Sequence, residues 1–225
     1  MKKIITIDGP AGSGKSTISR LIAKKIGFLY LDTGAMYRAL AFQVKRMGID
    51  LNSGKELHKI CKDLDLNFVL DGDNPRIHIG EEDISVEIRT PDMDMLSSSI
   101  SMNKEVREAM TELQRKIGIA GRLVAEGRDM GTVVFPNADY KFFITASLEV
   151  RARRRYMERL GRGEIVSKED VEAELAERDK QDETRPFAPL RPAEDAIIID
   201  TTTLGIEQVL GEILSKVGKT DIGNV

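Results

Sequence analysis

The 225-residue chain lacks most of what would mark a secreted or membrane protein. Its single cysteine, Cys61, cannot form an intrachain disulfide. One cysteine and two histidines also fall short of the donor set of a usual zinc site. No stretch approaches the roughly 18 apolar residues of a bilayer span. Met1-Lys2-Lys3 followed by Ile4-Ile5-Thr6-Ile7 briefly imitates a signal peptide, but Asp8-Gly9-Pro10 ends the run short of the ~7–15 residues of an h-region. An excess of one charge is missing too: 34 basic against 37 acidic residues leave a net charge of −3. That argues against a protein that coats a polyanion, though not against a local basic pocket. With 41% hydrophobic and 32% charged residues, the composition suits a globular protein with a substantial core. At ~150 residues per domain, one body carrying an insertion is expected rather than two equal domains. A cytoplasmic, disulfide-free enzyme or nucleotide-binding protein is the class that remains.

Short apolar runs recur, and most are followed by helical periodicity. Lys3–Ile7 reads as a strand, and Ile18, Leu21, Ile22 and Ile26 then share one helical face, closed by Gly27. Phe28–Leu31, Arg122–Glu126, Tyr140–Thr145 and Ala196–Asp200 are further strand candidates. Met36, Tyr37, Leu40, Ala41, Val44 and Met47 repeat at helical spacing, and Ile206, Val209, Leu210, Ile213, Leu214 and Val217 form a final stripe. This alternation predicts an α/β fold with a mainly parallel sheet and helices on both faces. Two regions break it. Leu66–Leu70, Arg76–Ile79 and Ile84–Ile88, separated by turn residues, predict a small antiparallel β insertion at about 63–89. Residues 151–185 are dense in charge, with six arginines between Arg151 and Arg162 and an acidic stretch after them. The polar tail Gly218–Val225 is expected to fray.

Gly9-Pro10-Ala11-Gly12-Ser13-Gly14-Lys15-Ser16 matches G-x-x-x-x-G-K-[ST] at every fixed position, between an apolar strand and an amphipathic helix. Glycines let successive backbone N–H groups converge on phosphate oxygens, and the following helix adds the positive end of its dipole. Lys15 is expected at the β- and γ-phosphates, the Ser16 hydroxyl at Mg²⁺, and Thr17 closes the binding segment. The string establishes nucleoside-triphosphate binding and leaves the reaction open, because the same loop serves kinases, motors and switches.

A kinase for a small acceptor needs a second anion site, since phosphoryl transfer relies on positioning and charge neutralisation. Leu31-Asp32-Thr33-Gly34-Ala35-Met36-Tyr37-Arg38 supplies one candidate: Thr33 is read as the helix cap, and Arg38 lies about one turn in. Glu126-Gly127-Arg128-Asp129 supplies another at a strand end, where ligands bind in open α/β sheets. A solvated helix face for Arg38 and a structural ion pair for Arg128 and Asp129 are the plainer alternatives.

These blocks, with Ile7-Asp8-Gly9-Pro10, Glu87-Ile88-Arg89-Thr90, Gly127-Arg128-Asp129-Met130-Gly131-Thr132-Val133-Val134-Phe135-Pro136, Glu177-Arg178-Asp179 and Ala188-Pro189-Leu190, resemble the bacterial cytidylate kinases, nucleoside monophosphate kinases of the P-loop group. The similarity runs from about residue 3 to about 217. Thr33 stands where the pattern often has Ser, and Glu126 where it often has Asp; both keep the functional group. The resemblance implies transfer of the γ-phosphoryl group of ATP to CMP or dCMP, with Mg²⁺. It implies a P-loop core (1–62, 90–150 and 186–225), the CMP-binding β insertion, and a short helical lid with its flanks at about 151–185. It places Thr33 and Arg38 near the acceptor's phosphate, Ser98, Arg107 and Asp129 at cytosine, Arg128 between the two phosphates, and Arg178 and Asp182 on the acceptor's sugar and phosphate side. Lys15, Arg128 and Arg178 become the expected catalytic residues, and Arg151, Arg154, Arg155, Arg159 and Arg162 the lid.

The cytosine reading has a physical basis. Cytosine offers a 4-amino donor and an N3 acceptor, and uracil reverses both. Arginine only donates and a carboxylate only accepts, so Arg107 at N3 and Asp129 at the amino group suit cytosine and mispair with uracil. Ser98 also suits a plain polar stretch, and Arg107 an exposed helix face between Glu105 and Glu108. The arginine run has the form of a solvated face or a nucleic-acid patch, but neighbouring acids and few aromatics argue against nucleic acid. A mobile cationic lid that excludes water is preferred. Asp8, Asp32 and Asp129 are the carboxylates considered for metal-bound waters. A monomer without membrane association is expected. Rival readings are the same chemistry on UMP or a shikimate-like alcohol, or a nucleotide-controlled binding switch.

Overall fold

The computed structural model describes residues 3–218 apart from 52, 72 and 73. Among them, β1 (Ile4–Asp8), β2 (Leu29–Asp32), β6 (Leu123–Gly127), β7 (Tyr140–Thr145) and β8 (Ile197–Asp200) form one five-stranded sheet in the order β2-β6-β1-β7-β8. β1 pairs in parallel with β6 and with β7, and β7 in parallel with β8. The apolar positions of these strands, among them Ile5, Ile7, Val124, Phe142 and Ile144, make a core with helices α1 (Lys15–Ile26) and α8 (Ile206–Val217). Their stripes, Ile18, Ile22 and Ile26 on one helix and Val209, Leu210 and Ile213 on the other, pack into that core, as the 3.6-residue period dictates.

The strand order reverses at β1, which has β6 on one side and β7 on the other. The register aligns Asp8 with Gly127. The loop after β1 and the loop after β6 therefore leave adjacent strand ends, the usual position of ligand groups in an open α/β sheet.

Between β2 and β6 the chain runs through α2 (Thr33–Met47), α3 (Gly54–Asp63), β3 (Leu66–Asp71), β4 (Asn74–Ile79), β5 (Glu82–Asp83), α4 (Pro91–Ile100) and α5 (Lys104–Gly118). After β7 come α6 (Leu148–Gly161) and α7 (Lys168–Thr184). Two compact units result: residues 1–31 with 118–225, and residues 32–117. The second unit is wider than the insertion expected at 63–89, because α2 through α5 belong with the small sheet. Its core joins Ala35 and Ala39 of α2 to Ile77, Ile84 and Ile88.

The small sheet is antiparallel, in the order β3-β4-β5. The third strand expected at Ile84–Ile88 is instead the two-residue β5. Ser85 ends the pairing: its hydroxyl bonds Asp83 and accepts from the Ile77 N–H, and a 3₁₀ turn follows at Glu87–Arg89. The buried Ile84 and Ile88 that suggested a strand belong to that turn and its approach. The turn expected at Asp71–Pro75 falls partly outside the described residues, as does the tail from Lys219 on. No helix among the described residues is long and apolar enough to cross a membrane.

Candidate active site

The phosphate loop bridges β1 and α1. Gly9 has φ +146°, and a side chain there would collide with the Ile144 carbonyl of β7. Gly14, at φ +94°, turns the chain into α1, whose first N–H groups remain available to an anion. Lys15 is buried and donates to the Pro10 carbonyl at 2.6 Å and to Ser13 Oγ at 3.4 Å. Burial first, then the charge of Arg128, lowers its pKa to about 7, against the opposing pull of Glu126. An anion beside this amine would favour its charged form.

Ser16 Oγ donates to Glu126 Oε2 at 2.9 Å, and the Tyr30 hydroxyl donates to Oε1 of the same carboxylate. Glu126 is 3% exposed near the end of the apolar strand β6, and the sequence reading did not count it among the carboxylates considered for the site. The signal was present: an acid closing a buried apolar strand beside the loop. The carboxylates considered instead have other partners. Asp8 accepts from the Met130 and Gly131 amides at 2.9 and 2.8 Å, and burial pushes its pKa up to about 6. Asp32, rather than Thr33, caps α2 by accepting from the Ala35 amide. Thr33 is the first helical residue and is buried.

Asp8 thus holds the segment after β6 that carries Arg128 and Asp129. Arg128 Nε donates to Asp182 Oδ2 at 2.7 Å, and Asp182 also meets Arg185 at 3.3 Å. Arg185 lies 3.9 Å from Asp129, and both are almost wholly buried. Burial alone would raise the pKa of Asp182; Arg128, Arg178 and Arg185 outweigh it and hold the carboxyl below its ordinary value. For Arg128 burial works downward and Asp182 upward, with a net rise. The charge of Arg178 is felt at both Lys15 and Asp182. The structure therefore brings Lys15, Arg128, Arg178, Asp129 and Asp182 into one electrostatic network and adds Arg185, which sequence reasoning had passed over.

The arginines of α6 divide. Arg151 is buried, donates to the Ala146 and Ala11 carbonyls and pairs with Asp179 at 2.6 Å. Arg154 donates to the carbonyl of Ser13 and to both oxygens of Thr201. These two support the phosphate loop from behind, which departs from their expected place on a mobile lid. Ala11 packs with Ala152, Val171 and Leu175, so α6 and α7 are bound to the loop by apolar contact as well. Arg159 is buried between Glu164 and Glu174. Arg155 and Arg162 pair with Glu158 on the surface.

Within the second unit, Arg38 faces Asp32 at 3.5 Å and Asp94 at 3.7 Å. Arg107 is buried, in contrast to Glu105 and Glu108 beside it; it donates to the Ser101 carbonyl and stacks 5.6 Å from the Tyr37 ring. That removes the exposed-face alternative. Ser98 is buried on α4, and its carbonyl accepts from the Ser101 hydroxyl.

Strand order, phosphate loop and the buried cations around it define the class: a P-loop nucleotide-binding enzyme built for phosphoryl transfer. A sequence model of the family described as cytidylate kinase matches residues 5–219. A cytidylate kinase of Citrifermentans bemidjiense is 48% identical over 92% of this chain and 89% of its own length. One from Carboxydothermus hydrogenoformans is 46% identical over 96% and 97%. Among solved structures, an uncharacterized protein from Eubacterium ventriosum shares the fold with a TM-score of 0.52 at 14% identity, covering 96% of this chain and 98% of that one. The chain belongs to the cytidylate kinase family.

Proposed function

We infer that the protein transfers the γ-phosphoryl group of ATP to CMP or dCMP, giving ADP and CDP or dCDP. The observation that carries this reading is the network of buried Lys15 and Asp182 with the half-buried Arg128 and Arg178 beside the phosphate loop, in a chain of this family. Phosphoryl transfer asks for fixed positive charge around the moving group rather than covalent help. The loop amides and Lys15 hold the triphosphate. Arg128 and Arg178 neutralise charge on the donor and acceptor phosphates, and Asp182 holds the Arg128 guanidinium in place. The acceptor phosphate arrives largely ionised at pH 7, so no general base is needed.

Magnesium suits the residues present. Ser16 is a hard oxygen donor with a carboxylate behind it, and Mg²⁺ takes few protein ligands beside phosphate oxygens and water. When bound, it supplies further charge neutralisation on the phosphates. Ser16 would hold it, with Glu126 accepting the hydroxyl proton.

Thr33 and Arg38 are proposed for the acceptor's phosphate, and Ser98, Arg107 and Asp129 for cytosine. Burial of Arg107 and Asp129 supports selectivity, because a mispaired buried group costs roughly 1–3 kcal/mol. A lid role is assigned to the outer part of α6 and the turn after it, where Arg155 and Arg162 stand at the surface. The division into core, CMP-binding insertion and lid is proposed in that narrower form. A cytoplasmic monomer acting on these small molecules is proposed with it.

Coupled ADP release with Mg-ATP and each of CMP, dCMP, UMP, AMP and shikimate tests the reading. Two mispaired groups predict CMP and dCMP ahead of UMP by about a hundredfold. Fastest turnover with UMP would end the cytosine assignment, and ADP release indifferent to any acceptor would favour a nucleotide switch.

A further inference from the structure

We propose that Tyr30 is a positioning residue for metal-assisted ATP binding: its phenol fixes the Glu126 carboxylate, which in turn directs the Ser16 hydroxyl proton away from the cation. The inference rests on the proposed Mg²⁺ role of Ser16.

Tyr30 lies on β2, the edge strand beside β6. Its hydroxyl bonds Glu126 Oε1, while Ser16 Oγ bonds Oε2 at 2.9 Å. An ionised carboxylate only accepts, so both hydroxyls are donors here. The single proton of Ser16 is thereby committed to Glu126, and its lone pairs face elsewhere. A hydroxyl that binds a cation must present a lone pair, so it needs an acceptor for its proton on the far side. Glu126 is that acceptor. A glutamate has enough side-chain torsions to turn away from one hydroxyl, and the tyrosine provides a second anchor on the other oxygen. Glu126 is 3% exposed, so its carboxylate is shielded from bulk water, while Ser16 at the exposed start of α1 and the half-buried Tyr30 reach it from either side. Outer partners of metal ligands act in this way, by orientation rather than by contact.

A tie between neighbouring strands would use the same bond, and metal dependence separates the two roles. ATP is titrated calorimetrically into wild type and Tyr30→Phe, once in EDTA and once with Mg²⁺, and unfolding midpoints are recorded for both. In EDTA the two proteins bind ATP alike. With Mg²⁺ the variant binds about 10–100-fold more weakly, the usual cost of losing an outer partner. The Mg²⁺ concentration for half-maximal turnover rises in parallel, and excess Mg²⁺ restores kcat. Equal affinities in both titrations, or an equal loss with and without Mg²⁺, would overturn the proposal. A wild type whose ATP binding ignores Mg²⁺ would instead overturn the metal role of Ser16. If Tyr30→Phe fails to fold, 3-fluorotyrosine at position 30 keeps the ring and strengthens the donor. It should tighten Mg²⁺-dependent binding alone, and no change would refute the assignment.

Discussion

The phosphate loop and the arginine-rich helix α6 are the two most conspicuous strings in the chain, yet they differ in what a string can convey. The loop acts through its backbone, so residues 9–16 carry their own geometry: glycines where the chain must turn, a lysine and a serine at the start of α1. Helix α6 acts through side chains whose partners lie far away. Arg151 pairs with Asp179 and Arg154 with Thr201, whereas Arg155 meets Glu158 three residues on. The same residue type in one helix bonds the phosphate loop or its neighbour Thr201 in the first two cases and a local, partly exposed glutamate in the third. Local function is legible from a string; charge function is decided by burial and by distant partners.

The sharpest test of the local side is Lys15→Ala. Loss of a preorganised cation at the developing charge should lower kcat by about 10²–10³ while the fold survives. Near-normal turnover in a steady-state assay would break the comparison at its stronger end.

Asp182→Asn probes the buried network next. It leaves Arg128 with a weaker partner and should cost about 3 kcal/mol of stability as well as activity, because one member of a buried ion pair loses its charge. The pH dependence adds a signature. Arginine neighbours depress the Asp182 pKa, so its contribution is present above the ordinary carboxylate range and is lost as pH falls through its lowered value. Asp8 has the opposite sign: its pKa is raised to about 6, so its contribution is full below the unfolded value and is lost as pH rises through 6. Denaturant melts across pH 3–7 should show the variant losing less stability than wild type at the acid end; parallel curves would contradict the assigned shift.

Within α6 the contrast is smaller and cleaner. Arg151→Ala should cost about 3 kcal/mol, since Asp179 is left nearly buried without its cation. Arg155→Ala should cost less, because its pair with Glu158 is open to solvent on the glutamate side and such a pair is worth under about 1 kcal/mol. Equal losses in urea melts would erase the distinction between support and surface.

The same logic explains what could be read in advance. The strands of the large sheet and helices α1, α2 and α8 follow from periodicity, with shifts of about a residue at their ends. The third strand of the small sheet did not, because Ser85 competes for the pairing of Ile77 through its own side chain, an interaction no hydropathy pattern contains. The second unit takes in more than the β insertion read from the sequence: α2 packs on the small sheet through Ala35 and Ala39, a contact between distant stretches of chain, and residues 32–117 cluster as one unit. At the site, Lys15, Ser16, Arg128 and Asp129 stood out by motif and strand end. Glu126 was read as a family variation rather than as the partner of Ser16, 110 residues away. Arg185 was hidden in a charged segment whose important members only burial reveals.

Transfer itself is the direct measurement. ATP labelled with ³²P in the γ position is incubated with the enzyme, Mg²⁺ and CMP, and the products are separated by chromatography. The account predicts label in the β-phosphate of CDP in step with ADP formation. Label appearing only as inorganic phosphate, with CMP unchanged, would contradict it.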